Sequence, residues 1–254
     1  MKNHYLNPYD YPFETSDFLH YFKNLYKDRG LKALYQVFNR PHRRSYTRYL
    51  IAKFAPSGIG LEIGVGARTV APTNRTILAD AYDEHGVHHT IAKLFFRGED
   101  IPYRDETFDF LLTEHVLEHI TNPLKALKEW IRVLKVGGVI ILILPHKERN
   151  NDVNRESTSL DHLIEDEKNK TPFNDEAHFQ EWWDLVVLKN LMPEHYKHME
   201  KKELLDSCSI HHHVWTDKEM AEVFKYLKLK LVHTESKLSD RRDSFMLIGE
   251  KRAL

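Results

Sequence analysis

The 254-residue sequence contains a single cysteine, Cys208. No internal disulfide framework can form, and the usage fits a reducing compartment such as the cytoplasm. Charge of one sign is also missing: 37 Lys and Arg stand against 38 Asp and Glu, a formal net charge of −1 at pH 7. With no net field and no long basic stripe, neither nucleic acid nor an anionic lipid surface is an expected partner. Long apolar runs are absent as well. The longest strictly apolar run, Val139 to Leu144, is too short to cross a bilayer, so no stable membrane insertion is expected. The opening Met1-Lys2-Asn3-His4-Tyr5 carries no apolar h-region, and no secretory signal is expected. No internal repeat or low-complexity linker interrupts the chain. What is plentiful is histidine, 17 residues, against a background of 41% hydrophobic and 30% charged residues. Such a composition belongs to a soluble, cytoplasmic globular enzyme.

Hydrophobic spacing divides the chain into four stretches. Residues 1–56 read as an N-terminal helical cap. Ser16 and Asp17 are candidate N-caps for a helix carrying Phe18, Leu19, Phe22 and Leu25, Gly30 breaks it, and Pro41 opens a basic helix that runs to Phe54. From residue 57 to 146, short apolar runs alternate with helical segments, the rhythm of βαβ units around a parallel sheet. Strands are expected at Gly60–Ile63, Thr76–Ala79, Phe108–Thr113 and Val139–Leu144. Asn122 as cap and Pro123 at the first position start a helix whose Leu124, Leu127, Ile131 and Leu134 share a face, and Gly137-Gly138 is expected to end it. Residues 147–212 read as an inserted helical lobe, with Phe179, Trp182, Trp183, Val186 and Val187 on the apolar face of a helix over 176–191. Residues 213–254 complete the core sheet: Thr216 to Glu219 is a capping box, and a last strand runs from Phe245 to Gly249.

The most informative stretch is Gly60-Leu61-Glu62-Ile63-Gly64-Val65-Gly66-Ala67. An apolar strand runs straight into Gly-x-Gly, where missing side chains let a ligand lie against the backbone. Eighteen residues after Glu62 the next strand ends in Asp80, the place from which a carboxylate grips a ribose diol. Arg68 stands where a dinucleotide fingerprint has its third glycine, and Pro72 follows closely, so the next helix must start late or be short. That disfavours a pyrophosphate site, which needs a helix N-terminus, and Glu62 biases the loop toward a cation. His115-x-x-Glu118-His119 matches the inverted zinc-protease pattern, but it lies between a strand and a capped helix instead of inside a long helix. His119 is therefore expected to be a packing residue.

Glu62-Ile63-Gly64-Val65-Gly66 resembles motif I of the class I S-adenosylmethionine-dependent methyltransferases. The segment Asp100 to Asp109 is similar to their "LPF-x-D-x-SFD" block. Thr113 to Ile120 and Arg132 to Gly138 are similar to their "vLEHi…RvLkpGG" block, in matching order across residues 58–146. On these motifs the chain is identified as a member of the type 11 group of that family. The resemblance implies a Rossmann-like α/β fold with a seven-stranded, mostly parallel sheet and an antiparallel last strand. It implies S-adenosylmethionine as cofactor and S-adenosylhomocysteine as product. Carried over residue by residue, it sets Glu62, Gly64, Val65 and Gly66 around the methionine part, Asp80 on the ribose, and Thr113 to His115 below the sulfonium. Arg97 occupies the position of the family's adenine-binding acid, so that contact passes to the Gly98 backbone with Glu99 or Asp100.

A hydroxyl acceptor needs a general base. His146, directly after the Val139–Leu144 strand, and His178 are the candidates. Asp161, His162, His211, His213 and Trp215 are the candidate substrate contacts; an extended 211–213 segment would turn His211 and His213 to one side, facing His178. A divalent metal held by Asp161, Asp175 and histidines is the minor alternative, and no metal is expected. The segments Asp161–Asp166, Asp175–Glu181 and His211–Trp215 also resemble the acceptor lobe of methyltransferases in bacterial surface-polysaccharide biosynthesis. The expected reaction is O-methylation of a sugar or glycan-linked small acceptor. N- or C-methylation of another small metabolite is the alternative, and a non-catalytic scaffold is a further one.

Overall fold

The computed structural model describes residues 5–13, 44–85, 88–192, 194–206 and 210–253. The helices expected between Ser16 and Phe38, the Pro41 that opens the next one, and Cys208 lie outside the described residues. Helix α1 (Ser45–Phe54) is the described part of the N-terminal stretch, with Arg44 in a left-handed conformation at its N-cap. The strands are β1 (Gly60–Ile63), β2 (Thr76–Asp80), a small hairpin of β3 (Glu84–His85) and β4 (His88–His89), β5 (Leu94–Phe95), β6 (Phe108–Glu114), β7 (Leu134–Pro145), β8 (Lys230–Glu235) and β9 (Ser244–Glu250). Seven of them form one sheet in the order β5-β2-β1-β6-β7-β9-β8. Pairing is parallel from β5 to β7, and β9 runs antiparallel to both its neighbours. This is the Rossmann-like arrangement expected, with its antiparallel last strand.

Side chains alternate across a strand, so a sheet covered on both faces needs apolar residues at every position. β7 meets that demand. Its Ile140, Leu142 and Leu144 enter one hydrophobic cluster and its Val139, Ile141 and Ile143 the opposite one. Helices α2 (Pro123–Val133) and α6 (Asp217–Tyr226) cover the first face with Leu124, Leu127, Trp130, Met220, Val223 and Phe224. Helix α1 covers the second with Leu50 and Ile51. Burying one such side chain stabilises by roughly 1.5–3 kcal/mol. The caps are as expected: Asn122 accepts from the Lys125 N–H at 3.2 Å, and Thr216 with Glu219 forms a capping box.

Two boundaries differ from expectation. Leu134 is no part of the α2 face, because α2 ends at Val133 and Leu134 already pairs with Phe108. Gly137, at φ +80°, carries β7 through an irregular register before Val139 meets Phe110. The two glycines therefore shape a strand and do not stop a helix. The 176–191 stretch is also not one helix: α4 (Glu176–Trp182) passes into a π turn over Trp183–Val187. Phe179, Trp182 and Val186 meet Leu204, from α5 (Lys201–Asp206), and Ile210 in a small core of their own. The helix over Leu160–Asn169, α3, instead sends Leu163 into the main core. No helix among the described residues is long and apolar enough to cross a membrane. β1 lies between β2 and β6, so the carboxyl ends of these three strands gather Gly64, Asp80 and Glu114 where an open α/β sheet presents its ligand site.

Candidate active site

After Ile63 the chain turns through Gly64 at φ +70° and Gly66 at φ +55°, a region that side chains rarely enter. The two glycines do different things. A Cβ on Gly64 would lie 2.2 Å from Val116 Cγ2, whereas none of the described residues lies within 4 Å of the corresponding point on Gly66. Gly64 lets the loop pack against the turn after β6, and Gly66 leaves bare backbone beside open space. Asp80 closes the loop from the end of β2. One carboxylate oxygen accepts from the Gly66 N–H (2.9 Å) and the Thr90 hydroxyl (3.0 Å), the other from the Ala81 N–H (2.8 Å). Val65 is buried beneath the loop and Arg68 is exposed. No helix forms between β1 and β2, so the late or short helix expected there is absent altogether.

Glu62 lies buried under this loop and accepts a short hydrogen bond from the Thr69 hydroxyl. Burial outweighs that bond and pushes its carboxyl up to about 8. At neutral pH the group is largely protonated, and a cation brought close would draw out its charge.

At the end of β6, Thr113 is fully buried and its hydroxyl has no hydrogen-bond partner among the described residues. Glu114 accepts from the guanidinium groups of both Arg44 and Arg241. His115, at φ +55°, accepts at Nδ1 from Arg241 Nη2 (3.1 Å) and donates from Nε2 to Ser244 Oγ (2.8 Å), which donates to Asp243 (3.0 Å). An arginine can only donate, so the ring proton belongs on Nε2. Burial first, then Arg241, hold the imidazole pKa well below its usual value, and the ring is neutral. On the far side of the loop the Gly98 carbonyl accepts from Trp130 Nε1–H (2.9 Å), Glu99 pairs with Arg97 (3.3 Å), and Asp100 is exposed.

The two candidate bases sit in different settings. His146 is buried edge-on to Phe245, its Nδ1 accepts from the Glu148 N–H (3.3 Å), and its Nε2 lies 3.8 Å from Asp217. Burial lowers its pKa. His178 is buried in α4 and donates from Nδ1 to Asp175 (2.8 Å). His213 reaches His178, with ring centroids 4.8 Å apart, but His211 does not share its side: it bonds to Asp152 (2.6 Å) and packs edge-on to His119. The backbone bends at His212, so the extended geometry assumed for the pair does not hold. Asp161 is exposed in the first turn of α3, and the carboxylate that His162, His178 and His213 surround is Asp166. Trp215 is buried and stacked on His213, so its ring is core and offers no face to a sugar.

Glu118, which enters the sequence only as part of the zinc-protease pattern, and Arg155 are not among the expected site residues. Glu118 is buried with both carboxylate oxygens lacking a hydrogen bond among the described residues, and burial raises it to about 7. Leu117–His119 is a single 3-10 turn, which removes the helix that a zinc-protease motif requires. Arg155 is fully buried, bonded to Asp152 (3.1 Å), to Glu181 (3.1 and 3.2 Å) and to the carbonyls of His211 (2.6 Å) and His212 (2.9 Å). The only signal for such groups was local spacing: Asp152-x-x-Arg155 and His162-x-x-x-Asp166 each share one side of a turn.

The profile of the methyltransferase-domain family matches residues 64–142. An uncharacterized protein of Methanocaldococcus jannaschii is 38% identical over 150 residues, which cover 56% of this chain and 67% of that protein. The ubiquinone/menaquinone biosynthesis C-methyltransferase of Proteus mirabilis is 27% identical over 88 residues, 30% of this chain and only 35% of that enzyme. Among solved structures, a chain from the complex of the Haloferax volcanii Trm112 methyltransferase activator with a methyltransferase superposes with a TM-score of 0.50 at 13% identity. That match covers 94% of this chain and 99% of the other, and it concerns the fold alone.

Proposed function

This chain belongs to the class I S-adenosylmethionine-dependent methyltransferases, and we propose that it methylates nitrogen or carbon in a small metabolite. When bound, the cofactor supplies an electrophilic methyl group on a sulfonium. An acceptor atom that is already nucleophilic then needs positioning more than it needs a strong base. The observation that carries this reading is where the basic nitrogens of both expected bases point: His146 is packed on Phe245 and accepts at Nδ1 from the Glu148 N–H, and the Nε2 of His178 faces His162 Nε2 (3.0 Å) and Asp166 Oδ2 (3.6 Å). The similarity to a quinone-pathway C-methyltransferase favours the same class of acceptor.

Two observations fit the cofactor to this loop: the open backbone at Gly66 and the unsatisfied hydroxyl of Thr113. Glu62, Gly64, Val65 and Gly66 would hold its methionine part, Asp80 its ribose, and Gly98, Glu99 and Asp100 the adenine side. Thr113 and His115 would form the floor under the sulfonium. A neutral His115 adds no repulsion there, and Arg44 and Arg241 keep the Glu114 carboxylate occupied. In this reading residues 57–146 and 213–254 bind the cofactor, and the lobe of 147–212 with the cap of 1–56 frames the acceptor.

O-methylation of a sugar in polysaccharide biosynthesis is the second reading, favoured by the resemblance of the three lobe segments. It needs a hydroxyl-deprotonating group, and His146 is its remaining candidate. Methyl-labelled S-adenosylmethionine, added with the protein to an extract of source cells, tests the choice. Label is expected in a small, non-saccharide fraction and is expected to persist in His146→Ala. Label in the saccharide fraction that vanishes in His146→Ala would replace the first reading by the second.

A further inference from the structure

We propose that His162, Asp166, His178 and His213 form a tetrahedral site for a divalent transition metal, zinc by its chemistry, that fastens α3 and α4 to the segment before α6. Neither the methyl-transfer reaction nor the identity of its acceptor enters the argument. Helix α3 presents His162 and Asp166 four residues apart, hence on one face. The first turn of α4 adds His178, and the irregular chain ahead of Trp215 adds His213.

The donor atoms converge. Asp166 Oδ2 lies 3.2 Å from His162 Nε2, 3.6 Å from His178 Nε2 and 3.6 Å from His213 Nε2, while the Nε2 atoms of His162 and His178 are 3.0 Å apart. All four lie within 4.8 Å of one another. Zinc bonds of about 2.0–2.1 Å in a tetrahedron set neighbouring donors roughly 3.3–3.4 Å apart. The observed separations bracket that spacing. Three imidazole nitrogens and one carboxylate oxygen suit zinc, whereas magnesium and calcium take oxygen donors.

The surroundings prepare the same atoms. Asp175 accepts both the backbone N–H (2.9 Å) and Nδ1–H (2.8 Å) of His178, which leaves a lone pair on Nε2, inside the cluster. A carboxylate behind a histidine is the usual second layer of a zinc site. Asp166 Oδ1 accepts from the Thr171 hydroxyl (2.8 Å), and Oδ2 is buried with no hydrogen bond among the described residues. His213 Nε2 also lies 3.3 Å from the Thr121 carbonyl, a long contact that a metal would replace. Four protein donors leave no open position, the pattern of a structural site. Asp166, His178 and His213 are buried, and the exposed His162 provides the way in.

The test uses the full-length chain, stripped with chelator and then dialysed against micromolar zinc. About one zinc per chain is expected by elemental analysis, with cobalt giving the visible bands of a tetrahedral site. Asp166→Ala with His178→Ala should abolish stoichiometric zinc. Because that variant can fail to fold, Asp175→Asn is the second one: it should retain the native circular dichroism and bind zinc roughly 10–100-fold more weakly. Chelation should lower the Tm of the wild type and zinc should restore it. No zinc uptake with an unmoved Tm would reduce the cluster to a hydrogen-bonded charge network and overturn the proposal. Equal zinc uptake by the folded Asp175→Asn and the double variant would overturn it too, moving the metal elsewhere, for instance to Glu118, His119 and His211. Zinc content is read without S-adenosylmethionine, so a failure of cofactor binding would leave this result untouched.

Discussion

Gly64 and Gly66 share a sign of φ and differ in what surrounds them, so one substitution separates folding from binding. In Gly66→Ala the methyl meets none of the described residues, and the cost to stability is the left-handed strain of about 1–2 kcal/mol. The methyl also stands where a ligand would lie on the backbone, so affinity for S-adenosylmethionine should fall at least about tenfold, about 1.4 kcal/mol. In Gly64→Ala the same strain is joined by a clash with Val116, and overpacking adds roughly 1–3 kcal/mol. Thermal melts paired with calorimetric titration of the cofactor check this. Equal losses of stability in the two variants would contradict the assignment of Gly66 to the ligand side. Glu62 gives a pH signature. Its folded pKa of about 8 exceeds the ordinary carboxyl value of 4.5, so the folded state holds a proton that the unfolded state has released. The contribution is complete below the unfolded value and is lost as pH rises toward the folded one, at up to about 1.4 kcal/mol per pH unit. Between pH 5 and pH 8 the wild type should therefore lose stability that Glu62→Gln keeps, which melts across that range would reveal as converging curves at low pH.

At the scale of elements, Trp130 joins the helix behind the sheet to the Gly98 loop, the proposed adenine side. Its indole N–H is the donor to Gly98, and its ring is fully buried. Trp130→Phe keeps most of the apolar burial and removes that bond, so about 0.5–1.5 kcal/mol of stability should go. The KM for S-adenosylmethionine should rise while kcat changes little, which steady-state kinetics can separate. Arg155 organises the lobe in a comparable way, as the cation between Asp152, Glu181 and two carbonyls. Arg155→Ala leaves the buried Asp152 with His211 as its one remaining ion-pair partner among the described residues and strips two carbonyls of their donor, and should cost up to roughly 3–5 kcal/mol. Limited proteolysis should then cut within residues 147–212 first.

Elements of this kind were unevenly legible. The strands before and after the glycine loop, the Asn122-Pro123 cap and the Thr216–Glu219 box are local signals, and they lie where the sequence set them. The two-residue β5 has no such signal, because it forms by pairing with Ala79 and Asp80 and packing Leu94 on the main core. Leu134 continues the helical apolar spacing of α2, yet it lies in a strand whose partner, Phe108, is remote in sequence. In the candidate site, the loop glycines and Asp80 announce themselves through adjacency. Glu118, Arg155 and the gathering of His162, His178 and His213 on Asp166 depend on chain segments dozens of residues apart.

For the whole molecule, the distribution of apolar burial sets the order in which parts open. Two large clusters flank the sheet, and β6, β7 and β9 contribute to both of them. The lobe has a separate core of five buried residues, Phe179, Trp182, Val186, Leu204 and Ile210. A small core protects its backbone with less free energy than the global value. Native-state hydrogen exchange should accordingly find the amides of α4 opening well before those of β6 and β7, with a gap of several kcal/mol. S-adenosylmethionine should slow exchange at residues 64–66 and 80–81 and leave α4 unaffected, since those amides belong to the loop that Asp80 closes. If α4 and β7 exchange through one common opening, with or without cofactor, the lobe is part of the same cooperative unit as the sheet. Its small core would then be stabilised mainly through Leu163 and Trp215, which already enter the main cluster.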